Sequence, residues 1–347
     1  LGAQARALET LARAIASASL PYREEVAALF DITPVATPEA VFEDALAALD
    51  DALPGAGDLA SRMQAWHEQF ELPKGAIREA VDRVLAEIRE RSTAIAPLPA
   101  GESVEIALVS DRPWSGYNWY LGECRSRVEI NTDLPVRANA LLDLMCHEAY
   151  PGHHTEHAIK ELRLFRERGY GEHAIQLINT PECVISEGIA TLARSIIFAP
   201  GEAEAWQAPR LYEPLGLRIE PERERQITGA LQALRAVGGN VALLVHEAGA
   251  DAEEAVHYLM RYGLEPEDRA RHRLRFITDP LWRSYVFTYH VGRDLLDAWI
   301  ALPDDDTAPA DPFLRRQRRF ARLLSVQTTP ARVAAELADA SADRADA

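Results

Sequence analysis

The sequence predicts a mainly α-helical protein with a small β element beside a histidine-rich helix. Three observations carry that expectation. Apolar residues recur at helical spacing through the first hundred residues, and two short stretches near residues 103 and 126 read as strands. An apolar helical run over 138–145 leads into the stretch Cys146-His147-Glu148-Ala149-Tyr150-Pro151-Gly152-His153-His154-Thr155-Glu156-His157. With 347 residues, 48% hydrophobic and 26% charged, the chain can bury a large core as one domain or two closely packed ones.

Residues 1–100 read as a helical scaffold or cap. Leu8, Leu11, Ala12 and Ile15 share one helix face, a helix over 38–53 takes Thr37 as its N-cap, and Ile77, Val81, Val84, Leu85 and Ile88 continue the period. Proline and glycine punctuate the chain at 54–57 and 96–101. Residues 101–347 form the region that carries the chemistry, packed as one unit with the first. Val104, Ile106 and Leu108 alternate with Glu105 and Ala107, which predicts a strand over 103–110. After a loop and the aromatic group Tyr117, Trp119 and Tyr120, a second strand is expected over 126–131, with 128–131, Asn131 included, as an edge that could hold an extended substrate. Helices follow over 154–166, ending near Gly169, over 181–198, from Pro221 to about Glu247, and over 281–300. The chain closes with an acidic loop at Asp304-Asp305-Asp306, a basic helix through 315–322 and a frayed tail.

Composition excludes several classes. A net charge of -17 argues against a nucleic-acid partner, whose phosphates require clustered lysine and arginine. Cys124, Cys146 and Cys183 form neither a disulfide framework nor a Cys-x-x-Cys metal site. There is no run of 18 apolar residues and no signal-peptide pattern, so no membrane partner is expected and the cytoplasm is the default location. Because the chain begins at Leu1, a removed leader stays open. Oligomeric state is not set by the sequence.

The histidine stretch holds four of the ten histidines within eleven residues, beside two glutamates. Imidazole nitrogens and a carboxylate suit zinc, and a glutamate next to a ligand can act as general base on water. The spacing departs from His-Glu-x-x-His, because Pro151 stands where the second histidine should be. Pro151 lacks the N–H that would bond the His147 carbonyl, so the helix should break there, helped by Gly152. If two residues bulge out, His153 takes the second ligand position. In a straight helix His154 would share the face of His147, about 10 Å along the axis. His153 is preferred, with His154 as the alternative ligand or a support behind the ligands. Glu156 and His157 read more simply as a solvated helix face.

The octapeptide His147-Glu148-Ala149-Tyr150-Pro151-Gly152-His153-His154 resembles the signature of the bacterial family catalogued as domain of unknown function 885, regarded as zincin-like metallopeptidases. Glu187-Gly188-Ile189-Ala190 and Tyr289-His290-Val291-Gly292 match two further segments of that family, with Ile189 in place of its tryptophan. The Gly-His pair at 152 and 153 also resembles, more distantly, the carboxypeptidase Taq family read with a two-residue insertion. The resemblance runs best over residues 126–292.

What the resemblance implies is a zincin-like, gluzincin-type helical fold and one zinc ion held by His147, His153 and Glu187. Glu148 would be the general base, and Tyr289 would hydrogen-bond the oxyanion. His290 and Arg293 become candidate substrate contacts, Arg293 for a carboxylate. The expected activity is hydrolysis of amide bonds in short peptides. Two other readings share the site: a metal-dependent hydrolase of a non-peptide amide or ester, and a non-catalytic helical binding protein that retains it. His246-Glu247, Glu254-x-x-His257 and His272 lack ligand-spaced partners and read as structural or surface residues.

Overall fold

The computed structural model describes residues 1–16, 20–112, 114–303 and 309–345, with side chains through residue 342. Five helices open the chain: α1 (Gly2–Ile15), α2 (Tyr22–Phe30), α3 (Glu39–Ala52), α4 (Leu59–Glu68) and α5 (Lys74–Ile95). A three-stranded sheet follows, β1 (Ser103–Val109), β2 (Gly116–Gly122) and β3 (Arg125–Asn131). The broken pair α6 (Ala138–Glu148) and α7 (His153–Lys160) comes next, then α8 (Pro181–Ile197) and α9 (Glu202–Gln207). The chain ends with α10 (Pro221–Ala233), α11 (Val237–Leu243), α12 (Ala252–Gly263), α13 (Glu267–Thr278), α14 (Phe287–Ile300), α15 (Pro312–Leu323) and α16 (Pro330–Ala345). The mainly helical class with a small sheet is therefore observed.

One large core joins the first hundred residues to the middle of the chain and the start of α14. Phe30, Phe42, Trp66, Phe70 and Val84 from the first hundred residues are buried in the same cluster as Leu141, Met145, Tyr212 and Phe287. Tyr22 on α2 reaches α14, with its ring 6.2 Å from that of Phe287 and its hydroxyl donating to the Arg283 carbonyl. A second cluster, with Ile189, Leu296, Trp299 and Phe320, joins α8, α14 and α15. Burying apolar area of this kind is the main stabilising contribution, at about 25 cal/mol per Å².

α8 and α14 approach closely through glycines. A Cβ at Gly292 would lie 2.3 Å from the Val184 carbonyl oxygen, and one at Gly188 would lie 2.6 Å from the Gly292 carbonyl oxygen. Both obstacles are backbone, so the helices themselves would have to part. Gly292→Ala is expected to lower stability by roughly 1–3 kcal/mol or more, read as a shift of the urea midpoint at unchanged slope.

Several expectations are corrected here. α1 turns Ala7 and Thr10 inward, leaving Leu8 44% and Ile15 77% exposed, because small residues let it lie close on its neighbours. Thr37 does not cap α3: the N-cap is Pro38, and the Thr37 N–H and carbonyl are taken by the Asn240 side chain. β2 has no sequence counterpart, since its aromatic residues fall on both faces and hide the alternation. The sheet order is β1-β3-β2, with β1 parallel and β2 antiparallel to β3. β3 is thus central, so 128–131 cannot serve as a substrate edge.

Further along, α7 continues as a π-helical stretch over Glu161–Arg166. The helix expected from Pro221 changes character at Leu234–Ala236, and the one expected over 281–300 starts only at Phe287. The tail is the ordered helix α16. Asp304–Asp306 lies outside the described residues. By length and composition the run Pro221–Ala248 could cross a membrane, although 56% of its apolar window is buried inside the fold. The three cysteines are free and buried.

Candidate metal centre

The break between α6 and α7 brings the two histidines together. α6 buries Ala138, Leu141, Leu142, Met145 and Cys146 on one face, which leaves its C-terminal His147 half-buried at the cavity. The helix stops at Glu148, the chain passes through a cis Tyr150–Pro151 bond, and a new helix starts at His153. Gly152 is required by close approach: a Cβ there would stand 2.0 Å from the His147 carbonyl oxygen. Across this break the rings of His147 and His153 are 4.7 Å apart and perpendicular. The two-residue bulge expected from Pro151 and Gly152 therefore puts His153, not His154, beside His147.

α8 supplies the third group. His147 Nε2 lies 3.4 Å from Glu187 Oε2, and His153 Nε2 lies 3.9 Å from Glu187 Oε1. The ligating atoms of all three lie within 4.8 Å of one another. Donors about 2.1 Å from a tetrahedral zinc stand roughly 3.4 Å apart, so the spacing fits. Glu187 Oε2 is buried without a hydrogen-bond partner, while Oε1 accepts from the Tyr285 hydroxyl at 2.8 Å. An orphaned carboxylate oxygen beside the His147 imidazole is what a cation would satisfy.

Ser186, which the sequence reading did not single out, fixes the tautomer of His153. Its hydroxyl donates its one proton to Glu156 at 2.5 Å, so at 3.1 Å from His153 Nδ1 it can only accept. Nδ1 must therefore carry the proton, and the lone pair lies on Nε2, facing Glu187. Removing such a support typically costs 10–100-fold in metal affinity. Ser186→Ala is expected to weaken zinc binding by about that factor, measured by competition with a chromogenic chelator.

Glu156 and His157 are not a solvated face. Glu156 is fully buried and receives the Lys160 ammonium at 2.6 Å, while His157 stacks on His153 at 5.9 Å and lines the cavity. Burial alone would raise the Glu156 carboxyl, but Lys160, His157 and His153 hold it to about 2. His153, Glu156 and His157 also have ligand-like spacing. With one carboxylate oxygen on the ammonium and the other on Ser186, that group is already satisfied and serves to position His153.

His154 is excluded as a ligand. It is fully buried on the far side of the break, with Nδ1 2.9 Å from Ser126 Oγ and Nε2 2.9 Å from Glu102 Oε2, tying α7 to the sheet. Glu102 also accepts from Tyr150 and Arg89. Burial would raise its carboxyl from 4.5, but the hydrogen bonds from His154, Tyr150 and Arg89 win and lower it to about 2. A folded-state pKa below the unfolded one gives stabilisation that is full above pH 4.5 and lost as pH falls toward 2. Melting curves should therefore fall more steeply over that window for the native protein than for Glu102→Gln.

Glu148 is buried on the wall of the cavity that the three ligands line, a hollow of about 630 Å³. Burial pushes its carboxyl up to about 7, opposed by His147 and helped by the charge of Glu187. β2 forms the facing wall through Tyr117, Asn118 and Trp119, and the Asn118 amide donates to the Glu148 carbonyl at 2.6 Å. Tyr289 closes the other side. His272, exposed as expected, stands at the mouth.

Three expected substrate contacts do not reach this cavity. The Asn131 side chain is buried in the loop turn, donating to the Arg112 carbonyl and accepting from the Asp133 N–H. His290, one residue on from Tyr289, points to the other side of α14, where its ring lies against Gly239. Arg293 pairs with Asp294 and Gln232. Tyr285, which the sequence reading did not single out, packs against the core and donates to Glu187. The segments at 187–190 and 289–292 meet through Gly188 and Gly292, which sets α14 at the depth where Tyr285 reaches Glu187.

No family model matches the sequence, and no curated protein matches it. Solved structures share the fold, two of them described as lipoproteins. One is described as "the putative lipoprotein from Colwellia psychrerythraea", at 15% identity and a TM-score of 0.63 over 93% of this chain and 55% of that one. The other is described as "a putative lipoprotein of unknown function from Shewanella oneidensis", at 14% identity and a TM-score of 0.57 over 91% of this chain and 59% of that one. The chain thus spans somewhat more than half the length of either neighbour.

Proposed function

We propose that this chain is a zinc-dependent hydrolase of zincin type that cleaves amide bonds in short peptides. The observation that carries the reading is the convergence of His147, His153 and Glu187 within 4.8 Å, with Glu148 lining the same cavity. These three residues would hold one zinc ion, and three protein ligands leave a position open for chemistry, as in catalytic sites. A bound zinc would supply Lewis acidity, making water nucleophilic near neutral pH and polarising a carbonyl.

The chain's own residues do the rest. Glu148 takes the proton of the attacking water and returns it to the departing amine, a role suited to a buried carboxyl with a pKa near 7. Tyr289 donates to the oxyanion as it forms. Asn118, whose Oδ1 is buried without a partner, can accept from a substrate N–H while its amide steadies the end of α6. The free edge of β2, rather than β3, is the strand available to an extended peptide.

The test is turnover of a mixed short-peptide library by the zinc-loaded protein, abolished by a chelator and restored by zinc. Turnover of ester or non-peptide amide probes alone would favour the broader hydrolase reading. The lipoprotein names of both structural neighbours favour a cell-envelope location over the cytoplasmic default, which fractionation of the native host would decide.

A further inference from the structure

Aromatic side chains are only 7% of the chain, yet two clusters of them line the cavity of the metal centre. The first comes from β2 and the loop before it, where Trp114, Tyr117 and Trp119 pack ring against ring with centroids 4.8–6.0 Å apart. The second comes from α13 and the turn into α14. Phe276 stacks on Trp282 at 6.1 Å, Trp282 meets Tyr285 edge-on at 5.7 Å, and Tyr285 meets Tyr289 at 5.7 Å. Both clusters reach the carboxylates of the centre: burial raises the hydroxyls of Tyr117 and Tyr289, and the charges of Glu148 and Glu187 raise both further. Trp119 is 42% and Phe276 36% exposed. Apolar surface gathered at one opening marks a binding site, as the same residues scattered would not.

We propose that the site selects peptides with an aromatic side chain on each side of the cleaved bond, one seated against Trp114, Tyr117 and Trp119, the other against Phe276 and Trp282. An aromatic ring buries about 150–250 Å² and gains further from edge-on or offset packing on other rings, which either cluster offers. A substrate carboxylate finds no lysine or arginine among the described residues that line the cavity, and a substrate ammonium finds only Glu148 and Glu187, which serve the water and the metal. Consecutive side chains of an extended peptide point to opposite faces. The residues on either side of one amide therefore diverge, one toward the β2 wall and one toward the turn into α14. The inference rests on the hydrolase reading for which bond lies between the clusters, but the binding itself does not need turnover.

The test uses four peptides blocked at both ends: N-acetyl-phenylalanyl-phenylalanine amide, its two versions with one phenylalanine replaced by alanine, and N-acetyl-lysyl-lysine amide. They are titrated calorimetrically into the full-length Glu148→Gln protein, zinc-loaded and metal-free. Each phenylalanine is expected to tighten binding about tenfold over alanine in both forms, with the lysyl peptide weakest. Trp119→Ala should erase the gain at one position and keep it at the other, and Trp282→Ala should do the reverse. Trp119→Phe and Trp282→Phe, which keep a ring, should restore most of what was lost. Phe276→Ala, on the same wall as Trp282, takes its place if Trp282→Ala does not fold. Equal binding of phenylalanyl and alanyl peptides, tighter binding of the lysyl peptide, or no binding at millimolar concentration would each overturn the proposal. So would variants that leave both gains intact, or a single one that removes both. Position-selective binding without turnover by the zinc-loaded native protein would remove the hydrolase reading and leave the aromatic site standing, whereas turnover of short peptides with no aromatic preference would do the opposite.

Discussion

Glu148→Gln is expected to lower kcat by roughly 10²–10⁴-fold, the usual contribution of a positioned general base, while the protein still binds one zinc. The amide has the shape of the carboxylate and keeps the buried site packed, but it cannot take a proton. Burial at the cavity wall raises this carboxyl above its ordinary range in the metal-free protein, which favours its taking up a proton. Steady-state kinetics with metal analysis on the same sample checks the prediction. Unchanged kcat with zinc retained would remove Glu148 from the mechanism.

Glu187→Gln is expected to weaken zinc binding by more than about 100-fold, beyond the loss that follows from removing a supporting partner alone. The neutral amide cannot balance a divalent charge, and one of its two heteroatoms is a donor that would face the imidazoles of His147 and His153. The effect should exceed that of Ser186→Ala, because Ser186 acts on the ligand set through its hydrogen bond with His153 Nδ1 rather than as a ligand. Isothermal titration of the metal-free proteins measures both. Equal affinities for native protein and Glu187→Gln would take α8 out of the centre.

How much of this was legible in the sequence depended on whether the cause was local. Pro151 and Gly152 break a helix by backbone chemistry that any reader can apply, so His153 beside His147 was accessible, and the apolar face of α6 followed from periodicity. Glu187 was accessible only through a resemblance, because nothing on α8 itself distinguishes a ligand from an ordinary helix glutamate. Ser186 and Tyr285 were missed for the same reason: one hydroxyl is defined by Glu156, thirty residues away, and the other by Glu187, ninety-eight residues away. β2 was missed because the strand faces both a cavity and solvent, which erases the period of two. His290 and Arg293 were assigned by their neighbourhood in the chain, whereas side chains one and four residues from Tyr289 need not share its surroundings on α14. His290 packs on Gly239, and Arg293 is taken up by Asp294 and Gln232.

The centre itself is open to one direct measurement, an anomalous-difference map collected across the zinc absorption edge from crystals of protein loaded with one equivalent of zinc. The account predicts a single peak bounded by His147 Nε2, His153 Nε2 and a Glu187 carboxylate oxygen, with an open side toward the cavity wall that carries Glu148. A peak on His153, Glu156 and His157 with Lys160 displaced, a peak elsewhere in the molecule, or no peak at all would contradict it.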